Sequence, residues 1–90
     1  MNDNNIMINF RELKVGSLIV VESALESKEW QRIFAVLMKK SRQDYIFYSF
    51  AYSYDENGNS LYSKEYKTGR VSKNTLNGYC SDGKVRKIIY

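Results

Sequence analysis

The stretch DYIFYSFAYSYDENGNSLYSKEYKTGRV, residues 44–71, decides how this chain folds, because two strand-like runs flank one definable turn. From Ile46 to Tyr54 every second residue is large: Ile46, Tyr48, Phe50, Tyr52 and Tyr54, with Ser49, Ala51 and Ser53 between them. Successive side chains of a strand point to opposite faces, so this run predicts a strand with one heavy aromatic face. The turn is Asp55-Glu56-Asn57-Gly58-Asn59, and the return arm runs from Ser60 to about Thr68.

Two registers compete for this hairpin. A two-residue type I′ loop pairs Glu56 with Asn59, and sets Tyr52 against Ser63 and Phe50 against Glu65. A three-residue loop, a type I turn opened by Asp55 with Gly58 left-handed, pairs Asp55 with Asn59. It sets Tyr52 against Tyr62 and Tyr48 against Tyr66. Aromatic cross-strand pairs contribute roughly 0.2–1 kcal/mol each, and a slip of one residue exchanges the faces, so the second register is expected. It gathers Tyr48, Tyr52, Tyr62 and Tyr66 on one face. That face is expected to be core, with the tyrosine hydroxyls at its rim, leaving Ser49, Ala51, Ser53, Leu61, Ser63 and Glu65 on the solvent side.

Upstream, Leu18 to Val21 is a run of aliphatics bounded by Gly16-Ser17 and Glu22-Ser23, which reads as a buried strand. Residues 24–40 admit two readings. Ser23-Ala24-Leu25-Glu26 fits a capping box, and Trp30, Ile33, Phe34 and Leu37 would share a helical face. Trp30, Arg32, Phe34, Val36 and Met38 also alternate as a strand would, and the strand is preferred because a meander is the simplest partner for the aromatic hairpin. Residues 1–5 are expected to be a disordered polar tip, with Ile6, Ile8 and Phe10 marking a short strand or extended arm. Downstream, residues 72–83 read as a long loop or short helical turn with Leu76 and Tyr79 tucked inward, and Lys84 to Tyr90 as a last strand.

The expected fold is therefore mainly β: a small single domain over residues 6–90, as an antiparallel sheet or a partly open SH3-like barrel. The alternative is α+β, with a helix over residues 24–40. With Val15-Gly16, the strand carrying Trp30 and the strand count, the chain resembles the small five-stranded barrels of the SH3-like class, which include KOW and Tudor modules. The resemblance implies a fold and carries no functional residues with it.

Ninety residues make one domain. One cysteine, Cys80, permits no intrachain disulfide, and a reducing compartment is the simpler setting. The start of the chain lacks a basic then apolar leader, and Ile33 to Met38 is too short an apolar run to span a bilayer, so a cytoplasmic protein with no membrane partner is expected. No histidine is present, which removes the commonest general base and most zinc sites. No phosphate-cradling glycine motif occurs. Glu22, Glu26 and Glu29 would form a solvated acidic face in the helical reading, and Cys80 reads as a small buried hydrophobe. No enzyme, no cofactor, no metal site and no catalytic residue is expected.

The net charge of +4 is unevenly spread, with seven basic and six acidic residues in positions 1–45 against seven and four in 46–90. Together with eight tyrosines, this suits a noncatalytic domain that binds nucleic acid. Lys64, Lys67, Arg70 and Lys73 are the candidate phosphate contacts, and Tyr62 and Tyr66 the candidate stacking residues. The alternative is a small phage-type module that binds a host protein, possible also as a homodimer, since Tyr, Trp and Arg concentrate binding energy at interfaces. Abundant Asn, Lys, Ile and Tyr without Pro or His is the mix that AT-rich coding sequence produces, as in phage genomes.

Overall fold

The computed structural model describes residues 5–24 and 29–90, apart from the side chains of residues 66 and 67. The tip at residues 1–4 and the segment 25–28, which includes Glu26, lie outside the described residues. Five strands and one helix follow in order: β1 Leu18–Ala24, β2 Trp30–Lys40, β3 Asp44–Tyr54, β4 Ser60–Ser72, α1 Lys73–Ser81 and β5 Val85–Ile89. The strands make one open antiparallel sheet in the order β4-β3-β2-β1-β5. The fold is thus mainly β, and its two edges, β4 and β5, do not close on each other.

The run from Trp30 to Lys40 is a strand, so the helical reading of residues 24–40 falls. Its apolar residues are continuous because both faces of a central strand are shielded, one by α1 and the other by neighbouring rings. Ile6, Ile8 and Phe10 form no strand. Ile8 instead joins the core as part of an extended arm, with Leu13 beside it after a turn in which Asn9 accepts from the amides of Glu12 and Leu13.

The core lies on one face of the sheet. Ile19, Leu37, Tyr45 and Phe47 project there from β1, β2 and β3, and Leu76 and Cys80 of α1 pack onto them. Residues 72–83, expected as a long loop or a short helical turn, contain this nine-residue helix, with Leu76 tucked inward as expected. Its sequence has mediocre propensity, so its ends carry much of its definition. The Ser72 hydroxyl accepts from the Thr75 amide at 3.1 Å, capping the start. At the other end Gly83, at φ +70°, lets its amide reach the Cys80 carbonyl and the Lys84 amide reach the Tyr79 carbonyl, a Schellman motif. Leu76 and Cys80, one turn apart, are buried, and Tyr79 packs partly against them.

The hairpin turn is the three-residue loop. The Asp55 amide donates to the Asn59 carbonyl at 2.9 Å, the Gly58 amide to the Asp55 carbonyl at 3.0 Å, and Gly58 sits at φ +85°. Amides of Asn59 and then Asn57 also hydrogen-bond the Asp55 carboxylate, holding its pKa below the ordinary value. Beyond the turn the expected register fails. Tyr54 lies opposite Ser60, but Ser53 lies opposite Tyr62, so one extra residue is inserted in β4. From there Tyr52 faces Ser63 and Phe50 faces Glu65, and a second shift between Phe47 and Ser49 inserts another residue. β4 has 13 residues against 11 in β3, the two-residue excess these insertions require. Bulges bend a strand and increase its twist, and here they bring Gly69 and Val71 alongside Phe47 and Tyr45 on the helix side.

Tyr62 pairs with Ser53 and so lies on the helix-side face, opposite the face of Tyr48 and Tyr52, while the backbone of Tyr66 pairs with Ser49 and not with Tyr48, so the expected tyrosine pairs do not form. The core and solvent sides are also exchanged. Ala51 and Ser53 are each 1% exposed, and the heavy aromatic face is the one that no described element covers. The reason is that Tyr45 and Phe47, in the same odd-numbered set as Ser49, Ala51 and Ser53, lie under the helix. The molecule measures 20 Å in its thinnest direction, the depth of the sheet plus one further layer.

Candidate functional site

The uncovered face is built from alternate residues of the three central strands. Phe34 on β2 lies opposite Phe50 on β3, and Val36 lies opposite Tyr48. Rings meet both along and across strands. Phe34 and Tyr52 stand edge to face, 5.8 Å between centroids at 84°, and Phe50 tilts at 33° against Tyr52 at 5.5 Å. Most of these side chains are half-buried against one another, while Tyr52 remains 42% exposed. Trp30 and Tyr54 extend the aromatic surface toward one end, being opposite each other across β2 and β3.

A charged row crosses the same face. Glu22 on β1 lies opposite Arg32 on β2, and its Oε2 accepts from Arg32 Nε at 2.9 Å and from Nη2 at 2.7 Å. Arg86 on β5 approaches the other oxygen at 3.9 Å, and the Arg32 guanidinium lies 5.7 Å from the centre of the Tyr54 ring. Burial alone would raise the Glu22 pKa. Donors on Arg32 and Tyr54, with the charges of Arg32 and Arg86, outweigh that and hold the carboxyl below its ordinary value. The Tyr54 phenol moves the other way, raised by its own burial and then by the neighbouring carboxylate.

Beside this row Val20, Glu22, Arg32, Phe34, Arg86 and Lys87 enclose a shallow concavity of about 390 Å³. It sets three cations and one anion around an aromatic side chain. Both Arg32 and Arg86 have about half of their side-chain surface open to solvent, at 48% and 52%. Sequence reading did not find these residues, because the order β5-β1-β2 joins positions 86, 22 and 32 only through long-range pairing.

Of the residues expected to contact nucleic acid, the four whose side chains are described are dispersed. Arg70, paired across from Ile46, donates weakly to Asp44 at 3.5 Å and borders a small polar recess with Lys39. Lys73 opens α1 and holds its ammonium 4.8 Å from the Phe10 ring centre. Tyr62 is 52% exposed on β4, at the sheet edge, and Lys64 lies opposite Ala51 on the helix-side face. The side chains of Tyr66 and Lys67 lie outside the described residues. Arg70 alone of these six has its described side chain toward the aromatic face.

Among the described residues no three Asp, Glu or Cys side chains converge as a metal-binding group, and Cys80 is wholly buried. No described helix is long and apolar enough to cross a membrane. Comparison of the chain with protein families, curated proteins and solved structures gave no match. The domain is a small β-sheet unit with surface ion pairs and an exposed aromatic cluster, the form of a general interaction module.

Proposed function

We propose that this domain is a noncatalytic binding module that takes single-stranded nucleic acid on the uncovered face of its sheet. The observation that carries the reading is the juxtaposition of Phe34, Phe50 and Tyr52 with Arg32, Arg86 and Lys87 on a face that no described element covers. Bases stack on aromatic side chains with little regard to sequence, while cations along the margin meet the phosphates. An open antiparallel sheet is one of the supports on which such stacking occurs. Arg70 and Lys39 would extend the cationic margin at the far end of β3. Lys64, Lys67 and Lys73 then act at a distance, through the general field of a chain with net charge +4.

A protein partner on the same face is the second reading, favoured by the prior pairing of Arg32 with Glu22 and the edge-to-face packing of Phe34 on Tyr52. Paired charges around packed aromatics suit an interface core and its rim.

Salt separates the two. With three phosphate contacts, raising salt from 50 to 200 mM should weaken binding of a labelled oligothymidylate roughly 20-fold in an anisotropy titration. The double variant Arg86→Glu, Lys87→Glu should lose that binding while retaining its fold, and Tyr52→Ala should weaken it by about tenfold or more. Oligonucleotide affinity unchanged in the charge-reversed variant, or absent at low salt, would turn the assignment to a protein partner.

A further inference from the structure

The other side of the sheet holds a second concavity, between α1 and the strands, of about 340 Å³. That volume lies within the range of small-molecule sites. Ile19, Val21, Ile33, Phe47 and Leu76 give it apolar walls from three strands and the helix. On its β3–β4 side, Phe47 and Val71 are joined by the small residues Ser49 and Gly69, which add little side-chain volume.

Gly69 is the informative residue. Glycine weakens a strand and often marks a bulge, a positive φ or a close approach of other atoms. Gly69 flanks the second β3–β4 register shift, but its φ is outside the positive range and a Cβ there would meet nothing within 4 Å, so the position has room for a side chain it does not carry. The missing side chain keeps space open beside Phe47 and Val71.

Ser23, Gln31 and Lys84 add polar groups to the lining. Lys84 is held by its backbone at both sides, its amide donating to Tyr79 at 3.0 Å and its carbonyl accepting from Glu22 at 2.8 Å. Its side chain is half-buried, no Asp or Glu lines the concavity, and no described carboxylate lies within ion-pair distance of Lys84. The Glu22 carboxylate is turned to the opposite face, on Arg32. An apolar chamber whose one charged lining residue is a lysine with no described carboxylate partner selects a particular chemistry.

We infer that this chamber binds a small amphipathic carboxylate, its apolar body along Ile33, Phe47 and Leu76 and its head on the Lys84 ammonium. A charged head gains a charge-assisted hydrogen bond there, and the tail leaves water. This site is on the face opposite the aromatic platform, so either can fail without the other.

The test is a two-dimensional NMR titration of the labelled full chain with octanoate, below its micelle concentration, and with neutral octanol. Octanoate should shift the amides of Ser49, Gly69, Leu76 and Lys84 saturably, and octanol should bind about tenfold more weakly or less. Lys84→Gln should remove the preference for octanoate. Gly69→Leu should block both ligands, and Ser49→Val serves the same purpose should the first variant fail to fold. Shifts confined to the aromatic face, no saturable binding of octanoate at millimolar concentration, or undiminished binding in the filled variants would overturn the assignment.

Discussion

Phe47 and Phe50 are three residues apart on β3 and identical in chemistry, yet they face opposite sides of the sheet. Truncating each to alanine therefore measures what covers each side. Phe47 is 3% exposed and packs in the core with Leu37, Tyr45 and Leu76. Its removal leaves a void among groups that relax only in part, at a cost of about 3–5 kcal/mol. Phe50 is half-buried, and the notch left by Phe50→Ala opens to solvent, so no cavity is created. The loss there is the transfer of its covered portion plus one tilted ring contact with Tyr52, about 1–2 kcal/mol. A domain of 90 residues has roughly 5–13 kcal/mol in total, so the two variants should unfold at clearly different urea concentrations. Trp30 fluorescence reports the transition, and equal slopes would confirm that the difference is one of stability. Equal losses for the two variants in dilute protein would refute the statement that the aromatic face is uncovered. A Phe50→Ala penalty that grows with protein concentration would instead reveal a second copy seated on that face.

Acid should expose the role of Glu22. Its folded pKa is lowered, so its contribution is complete above the ordinary value of 4.5 and is lost as pH falls through the folded value; Glu22→Gln should flatten the stability profile over that interval in thermal melts. Gly58→Ala, at φ +85°, should cost about 1–2 kcal/mol, whereas Gly69→Ala, with an ordinary φ and open space, should be neutral or gain up to about 1 kcal/mol. Chemical denaturation of the pair distinguishes a turn requirement from a spatial one. Ser72→Ala should lower stability by about 1 kcal/mol and speed amide exchange in the first turn of α1, where Thr75 loses its acceptor.

The strands were legible because alternation is a local property. Leu18 to Val21, the Trp30 strand, the hairpin and the last strand all appear near their expected places. The identity of the covered face was not legible. β2 is apolar at Ile33, Phe34, Ala35, Val36 and Leu37 in succession, so its pattern does not tell which side meets a helix. Only the packing of Leu76 and Cys80 on Tyr45 and Phe47 decides it. The helix itself was obscured by Asn74, Asn77 and Gly78, residues of low propensity, and it depends on a cap, a Schellman end and burial. The turn was read correctly from Asp55 and Gly58, while the register beyond it depends on bulges that answer to the curvature of the whole sheet. The charged row was hidden for the same reason, since Arg86 and Arg32 reach Glu22 from two different neighbouring strands.

The two extra residues of β4 also bear on how the protein keeps to itself in a crowded solution. β4 is an outer strand, and an outer strand invites another chain to continue the sheet. Interrupted near Leu61 and again between Tyr66 and Gly69, it keeps regular ladders only from Tyr62 to Tyr66 and from Gly69 to Ser72. A foreign strand seeking to extend that edge would find no regular run longer than five residues before a bend. The distortion that curls the sheet over its helix thereby also works against edge-to-edge polymerisation along β4.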